Sequence, residues 1–265
     1  MYPFFTVSGI DVPLYTLMAV IGLLVAGFWF CRSIKKAGYD DNDAVIFLLV
    51  LAVGMYLGGM ILYAITNARH FPKLFAAEDF TQFKKIAGAI FGGSVFYGGL
   101  LGACGTGYLW VRIKKLPLEV YLDRCAFFAP LFHAFARVGC FFAGCCYGIE
   151  GAFGLAVPES VETVTAIGHV SRFPVQLLEA LCNLGIACLV LFLLQKGRMR
   201  GKLLYVYFGL YAILRFCDEF LRGDEIRGFV GVFSTSQFIS LFIGAFAAFM
   251  LFIKPRLIKN KNQTI

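Results

Sequence analysis

Apolar residues run through this chain in long continuous stretches, not in alternation. A helix needs about 20 mostly apolar residues to cross the hydrocarbon core of a bilayer. Seven such stretches are present, at 13–31, 44–66, 88–111, 119–138, 174–195, 203–221 and 234–253. The pattern predicts an all-α integral membrane protein with seven transmembrane helices. A membrane barrel would show shorter segments of alternating polarity, which these runs lack. No internal repeat or low-complexity segment divides the chain, so residues 1–265 are expected to form one polytopic domain. The third stretch stands apart. Eight glycines fall between positions 88 and 107, and glycine permits close backbone approach or a break that lines a cavity.

Two connecting segments are long. Residues 67–87 contain Phe71-Pro-Lys-Leu-Phe and Phe80-Thr-Gln-Phe-Lys-Lys. They are expected either as an amphipathic arm lying flat on the membrane or as a solvated loop with aromatic anchors. Residues 146–172 mix Gly, Ser, Thr and Glu with few basic residues, and read as a small extramembrane cap.

Composition agrees with the spans. The chain is 60% hydrophobic and only 15% charged, with mean hydropathy +0.78, whereas soluble domains carry about 25% charged residues. Disorder, a small disulfide scaffold and an ordinary cytosolic enzyme are excluded. Net charge is +8, but the basic residues sit mainly in short connections, where they set orientation. No nucleic-acid-binding pattern is present. With the N-terminus outside, fourteen Lys and Arg fall in cytoplasmic segments (32–36, 112–115, 196–202 and 254–261) and seven on the opposite side. Arg124, Arg137 and Arg215 lie in or near spans. The expected orientation is N-terminus outside, C-terminus cytoplasmic. The N-terminal Met-Tyr-Pro-Phe-Phe lacks the basic region of a cleavable signal and is expected to be retained.

Ionisable groups inside lipid are costly, so they usually face a cavity or one another. His133 and Arg137 are four apart and share a helix face, as do Gln176, Glu179 and Asn183 on the next span. Arg215, Glu219 and Arg222 recur on the sixth span, with Asp218 beside them. The seventh opens with Ser234-Thr-Ser-Gln237, and the first carries Tyr15 near its outer end. By the orientation above, Arg137, Gln176, Arg222 and Gln237 fall toward the outer leaflet, and Tyr97 adds a phenol there. One polar cavity opening outward would satisfy them all. Pair by pair, Arg215–Glu219 also reads as a structural ion pair and Gln176–Glu179 as a helix–helix hydrogen-bond patch.

The segment from Arg137 to Gly148 holds Cys140, Cys145 and Cys146 among glycines at 139, 144 and 148. Those glycines argue for a turn lining a polar site, not a regular buried helix. The three cysteines fit a metal site poorly. His133 is the only obvious fourth ligand, and the spacing matches no common zinc pattern. A disulfide from Cys140 to Cys145 or Cys146, a reactive thiol beside Arg137, and plain packing are the other readings.

Taken in order, these segments resemble the prolipoprotein diacylglyceryl transferase family over nearly the whole chain. Pro13-Leu-Tyr15-Thr-Leu-Met is similar to the family's first-span tyrosine motif. Tyr97-Gly-Gly-Leu-Leu-Gly102 resembles its His-Gly-Gly-Leu motif. Residues 136–148 resemble its Gly-Arg-x-Gly-Asn-Phe signature, and Phe173-Pro-Val-Gln-Leu-Leu-Glu-Ala its Pro-x-Gln-Leu-Tyr-Glu-Ala segment. Arg215-Phe-x-x-Glu-Phe-x-Arg222 and Ser234-x-x-Gln237 complete the order. The departures fall on the chemistry: Tyr97 replaces the family's histidine, Cys140 the signature asparagine, and Cys145 a later acidic residue. Arg137, Arg215, Glu219 and Gln176 are kept.

The resemblance implies a seven-span enzyme of the plasma membrane, acting at its outer leaflet without a cofactor. It would move a diacylglyceryl group from phosphatidylglycerol to a thiol in the lipobox segment of a prolipoprotein, or in a related acceptor. Glycerol phosphate leaves, and its charge calls for fixed cations in a low-dielectric site. Arg137 and Arg215 are the candidates, because arginine offers a bidentate fork. Glu219 would orient Arg215. The acceptor thiol must lose its proton. Tyr97, with an unperturbed pKa of about 10, is a poor base but a good donor, and His133 is the alternative. Cys145 could serve as a charge partner of an arginine or as a nucleophile. Tyr15, Gly98, Gly99, Gly139, Cys140, Cys146, Gln176, Glu179, Arg222 and Gln237 are the expected substrate-binding residues. Two other classes fit the same residues: a membrane thiol-redox enzyme using the 140–146 cysteines, and a non-catalytic lipid-binding protein or transporter.

Overall fold

Long runs of Leu, Val, Ile and Phe have only one way to satisfy their backbone in lipid, the i to i−4 hydrogen bonds of a helix. The computed structural model describes residues 4–7, 10–76, 78–156, 170–223 and 228–254, and most of them are helical. The helices are α1 (Leu14–Lys36), α2 (Asp41–Thr66), α3 (Phe71–Phe75), α4 (Phe80–Phe91), α5 (Phe96–Ile113), α6 (Leu118–Ala143), α7 (Val175–Gln195), α8 (Leu203–Asp218) and α9 (Thr235–Ala248), the last prolonged by a π-helical turn, Phe249–Ile253. Three short antiparallel pairs join β1 (Phe4–Val7) to β2 (Ile10–Pro13), β3 (Glu150–Ala156) to β4 (Ser171–Arg172), and β5 (Phe229–Val230) to β6 (Phe233–Ser234).

Five of these helices are long and apolar enough to cross a membrane: α1, α2, α6, α7, and α9 with its π turn. The α4–α5 pair makes six if counted as one span. Their surfaces are those of a protein dissolved in lipid, with Phe242 75% exposed. The sixth expected span is α8, whose 16 residues reach about 24 Å, short of a hydrocarbon core of about 30 Å. A 3₁₀ turn over Glu219–Leu221 continues it.

Two expectations are corrected. The glycine-rich stretch at 88–111 is not one continuous helix. It breaks at Gly92–Val95, and α4 and α5 meet at 75°. The Val95 N–H, which a continuous helix would have satisfied, donates instead to the Gly59 carbonyl at 3.1 Å. The arm at 67–87 is largely helical, and Asp79 caps α4 by accepting from the Gln82 N–H at 2.6 Å. Second, α6 does not turn at Gly139. It continues to Ala143, because Gly139 admits the backbone of α1: a Cβ there would lie 3.2 Å from the Tyr15 carbonyl oxygen. Residues 157–169 of the expected cap lie outside the described residues.

The chain divides into two units, Met1–Ser33 with Glu119–Ile265, and Ile34–Leu118. In the first, α1, α6, α7 and α8 share a core built on Ala26, Phe127, Leu131, Ile186, Val190 and Tyr207. Asp123, buried on α6, accepts from the N–H groups of Gly201 (2.7 Å) and Leu203 (3.1 Å). A carboxylate at the start of α8 both meets unsatisfied donors and complements the helix dipole. In the second unit, α2 and α5 touch backbone to backbone along small residues. A Cβ on Gly102 would overlap the Gly54 carbonyl oxygen, and one on Gly98 the Gly58 carbonyl oxygen. Thr106 Oγ1 donates across this seam to the Val50 carbonyl at 3.1 Å.

The seam gives a paired test. Gly105 on the same helix has nothing within 4 Å of an added Cβ. Gly102→Ala should destabilise by about 1–3 kcal/mol through overpacking. Gly105→Ala should be neutral or stabilise by up to about 1 kcal/mol, because helical glycine is entropically costly. Thermal denaturation of both variants in one detergent checks the difference.

Candidate active site

A carboxylate inside a helical bundle must find cations or donors. Glu179, on α7, is fully buried, and its Oε1 gathers three groups. Arg137 Nη2 lies 2.9 Å away, His133 Nε2 3.6 Å, and the Tyr211 hydroxyl 3.4 Å. The one-turn spacing of His133 and Arg137 on α6 brings both to the same oxygen, so helix periodicity assembles the group. The His133 and Tyr211 rings lie 5.2 Å apart, and Tyr211 lies within electrostatic reach of Arg137. Arg137 Nε is buried without a hydrogen-bond partner among the described residues. Nε–H is therefore a guanidinium donor left unpaired beside the Nη2 that holds Glu179.

A second arginine lies on α8. Arg215 Nη2 contacts Glu219 Oε2 at 2.7 Å and donates to Ser236 Oγ at 2.9 Å, while Nη1 lies 3.7 Å from Asp218 Oδ2. The buried Asp218 carboxyl in turn lies within electrostatic reach of Glu179. Two guanidinium groups and three carboxyl groups thus form one linked cluster across α6, α7 and α8, with Ser236 from α9. Each arginine is held by carboxylates in a set orientation.

The end of α6 adjoins the cluster. Gly144, at φ 70°, closes the helix. Its N–H donates to the Phe141 carbonyl at 3.2 Å, and the Cys145 N–H reaches back to the Cys140 carbonyl at 3.2 Å. This reversal is a Schellman C-cap. Gln176 on α7 locks it by donating from Nε2 to the Cys145 carbonyl at 2.7 Å. Beyond it, residues 147–149 bond on both sides: Gly148 N–H to the Phe173 carbonyl (3.1 Å), Ile149 N–H to the Leu221 carbonyl (2.9 Å), and Gly223 N–H to the Tyr147 carbonyl (3.1 Å). The turn brings the sulfur atoms of Cys140, Cys145 and Cys146 within 4.8 Å of one another. All three are free thiols, so the disulfides considered from sequence are not formed. The Cys145 thiol donates to the Cys140 carbonyl at 3.7 Å; the neighbouring Cys140 and Cys145 thiols hold Cys146 below the ordinary thiol range, and the charges of Arg222 and Arg137 act in the same direction. Tyr15 lies within electrostatic reach of Arg137 and the three thiols.

The structure therefore brings together His133, Arg137, Gln176, Glu179, Arg215 and Glu219. Cys140, Cys145, Cys146 and Tyr15 lie alongside, and the Arg222 backbone bridges to Gly148. Gly139 serves helix contact. Gln237 is taken up by its own helix end: its Oε1 accepts from the Ser234 N–H at 3.1 Å, and its N–H donates to Ser234 Oγ at 3.1 Å. That capping box was readable from Ser-x-x-Gln. Tyr97, Gly98 and Gly99 belong to the other unit, where Gly98 and Gly99 face the α2 backbone at Gly58 and Met55. Sequence reasoning missed Tyr211 and Ser236. The spacing of Tyr207, Tyr211, Arg215 and Glu219 at fours was the available signal for the tyrosine.

A sequence profile of the family described as prolipoprotein diacylglyceryl transferase matches residues 3–253. The chain belongs to the prolipoprotein diacylglyceryl transferase family. Relatives include the phosphatidylglycerol–prolipoprotein diacylglyceryl transferase of Clostridium tetani, 31% identical over 238 residues (90% of this chain, 91% of the relative). That of Geobacter sulfurreducens is 31% identical over 251 residues (89% and 88%). The enzyme of that name numbered 2 from Clostridium perfringens is 30% identical over 240 residues (89% of each). In this member of the family the carboxylate–arginine cluster is built from α6, α7, α8 and α9, all in one unit.

The lock on the cysteine turn is testable. Gln176→Leu removes the donor to the Cys145 carbonyl and leaves a half-buried acceptor unsatisfied. It should cost about 1–3 kcal/mol and speed proteolysis between residues 144 and 150. Limited proteolysis and a thermal midpoint, read on the same preparation, check both.

Proposed function

We propose that this chain transfers the diacylglyceryl group of phosphatidylglycerol to a cysteine thiol of a prolipoprotein. The reading rests on one observation above all: two oriented guanidinium groups, Arg137 and Arg215, held by Glu179 and Glu219 inside the helical bundle. The names of the family's members favour a transferase over a thiol-redox enzyme or a lipid carrier. The acceptor sulfur attacks the glycerol carbon, a C–S bond forms, the C–O bond breaks, and glycerol phosphate leaves with the electron pair. Arg137, through its unpaired Nε–H, and Arg215 receive the phosphate charge as it develops. That preorganised field is worth most where water is excluded. Glu179 and Glu219 fix the forks. His133, beside Glu179, is the side chain placed to take the thiol proton. Cys145 is read as a partner to the arginines at the acceptor end, with Tyr15, Cys140, Cys146, Gln176 and Arg222 shaping the same end.

The proposed setting is the bacterial plasma membrane, with seven spans, the N-terminus outside and the cluster facing the outer leaflet. The distribution of basic residues supports that orientation. Here α8 with its 3₁₀ turn and the α4–α5 pair count as spans. A cysteine-directed label applied from outside, in a background without other reactive thiols, should reach a probe at position 160 but not one at 198. The reverse pattern would put the chemistry on the wrong leaflet.

Purified protein in micelles, given labelled phosphatidylglycerol and a lipobox peptide, should release glycerol phosphate and yield lipidated peptide in equal amounts. Arg137→Lys keeps the charge but loses the fork, and turnover should fall by about 100-fold, as for loss of one oriented donor in other enzymes. Near-normal turnover in that variant, at normal expression, removes Arg137 from the active site. Release of glycerol phosphate without lipidated peptide points to a different acceptor.

A further inference from the structure

Sequence spacing argues against a metal at the three cysteines, for want of a fourth ligand. The fold changes that judgement. Cys140 lies in the last turn of α6, and the Schellman reversal carries Cys145 and Cys146 back over it, so three sulfur atoms sit within 4.8 Å of one another. Sulfur ligands at about 2.3 Å from a tetrahedral zinc are about 3.8 Å apart. The three thiols are therefore close to binding distance without movement of the backbone.

That backbone is held, and in part strained. Cys146 has φ 57°, a left-handed conformation that costs a non-glycine residue about 1–2 kcal/mol. Packing of three small thiols requires no such turn. Gln176 from α7, the Cys145–Cys140 backbone bond and the hydrogen bonds at Gly148 and Ile149 together fix the loop. Ligands held this way are preorganised.

Charge balance fits as well. Three thiolates and one dication leave a net charge of −1, and Arg137 and Arg222 lie within electrostatic reach of Cys146. Without a cation, three neighbouring thiols could not all ionise. His133 is not a spare ligand, since it is turned to Glu179 and Tyr211. Cys140 is buried, while Cys145 and Cys146 are only partly buried, so a fourth position can open on their side. Three protein ligands with one open position is the arrangement of catalytic zinc, as opposed to closed structural sites.

We propose that Cys140, Cys145 and Cys146 bind one zinc ion, and that its fourth position takes the acceptor thiol. The second half rests on the transferase reading; the first does not. Zinc-bound thiol is deprotonated outright. The acceptor R–SH loses its proton on binding, and the proton passes to His133 or solvent. The zinc-bound sulfur then supplies the electron pair that forms the C–S bond as glycerol phosphate departs. No oxidation or reduction is involved, and thiolate ligands suit a soft ion. The site would activate the thiol in a chain where Tyr97 occupies the position of the family's histidine.

The test uses the full chain in detergent, fully reduced, stripped with a chelator and freed of it. Zinc is titrated against a chromophoric competitor, and cadmium is used to read thiolate-to-metal charge transfer in the ultraviolet. One ion per chain is expected. Cys145→Ser and Cys146→Ser should each weaken binding by at least about 100-fold, with thermal midpoints confirming that they fold, while Cys188→Ser should bind as the unaltered chain does. A lipobox peptide with a free thiol should raise the charge-transfer band by about a third, as four thiolates replace three, and its serine counterpart should not. Failure of the folded, reduced chain to bind an ion stoichiometrically overturns the site, as does equal binding by the serine variants. An ion that binds while the thiol peptide leaves its spectrum unchanged overturns the fourth-position assignment. Glycerol phosphate release, measured separately, judges the transferase reading, so the two failures are distinct.

Discussion

A carboxylate cannot remain alone inside a helical bundle surrounded by lipid, and the buried charge of Glu179 is the constraint on which the site depends. It draws Arg137 and His133 from α6 and Tyr211 from α8 onto one oxygen. Asp218, within electrostatic reach of Glu179, pairs with Arg215, and Glu219 and Ser236 complete the second arginine. The cluster thereby ties four helices together and leaves two guanidinium groups oriented in a dry environment. Structure and chemistry share the same groups: what neutralises the charge in the resting fold is what would meet a phosphate during turnover.

The end of α6 shows how a helix terminus becomes a chemical feature. Gly139 lets α1 approach, so the helix can run on past Arg137 and deliver Cys140 to its last turn. Gly144 then reverses the chain, and Gln176 anchors the reversal from α7. The three thiols meet only because each of these steps occurs. Cys140 and Cys146 are therefore neighbours of Arg137 in space as well as in sequence.

Much of the helical framework was legible from the apolar runs, because lipid leaves the backbone no alternative to the helix. The breaks were less so. Glycine signals a break and a close contact with the same letter, and only the partner distinguishes them. At Gly92–Val95 the chain bends, whereas at Gly139 it continues because α1 lies against it. In the site, ionisable residues advertised themselves by their cost in lipid, so Arg137, Glu179, Arg215 and Glu219 could be read directly. Tyr211 carries no such cost, and only its spacing of four from Arg215 pointed to it. The polarity of Gln237 suggested a cavity, and its Oε1 and backbone N–H are taken up by Ser234 in the capping box. The cysteines resisted reading because their proximity is created by a turn, not by spacing.

The central claim is that Glu179 and Arg137 form one energetic unit at the heart of the site. A double-mutant cycle in unfolding free energy, with Arg137→Gln, Glu179→Gln and the pair together, tests it most directly. Each single change strands a buried partner and should cost about 3–5 kcal/mol. The double variant should recover at least about 2 kcal/mol of the summed loss, because no charge is then left uncompensated. Additivity within about 0.5 kcal/mol would show that the two residues act independently, and would contradict the account.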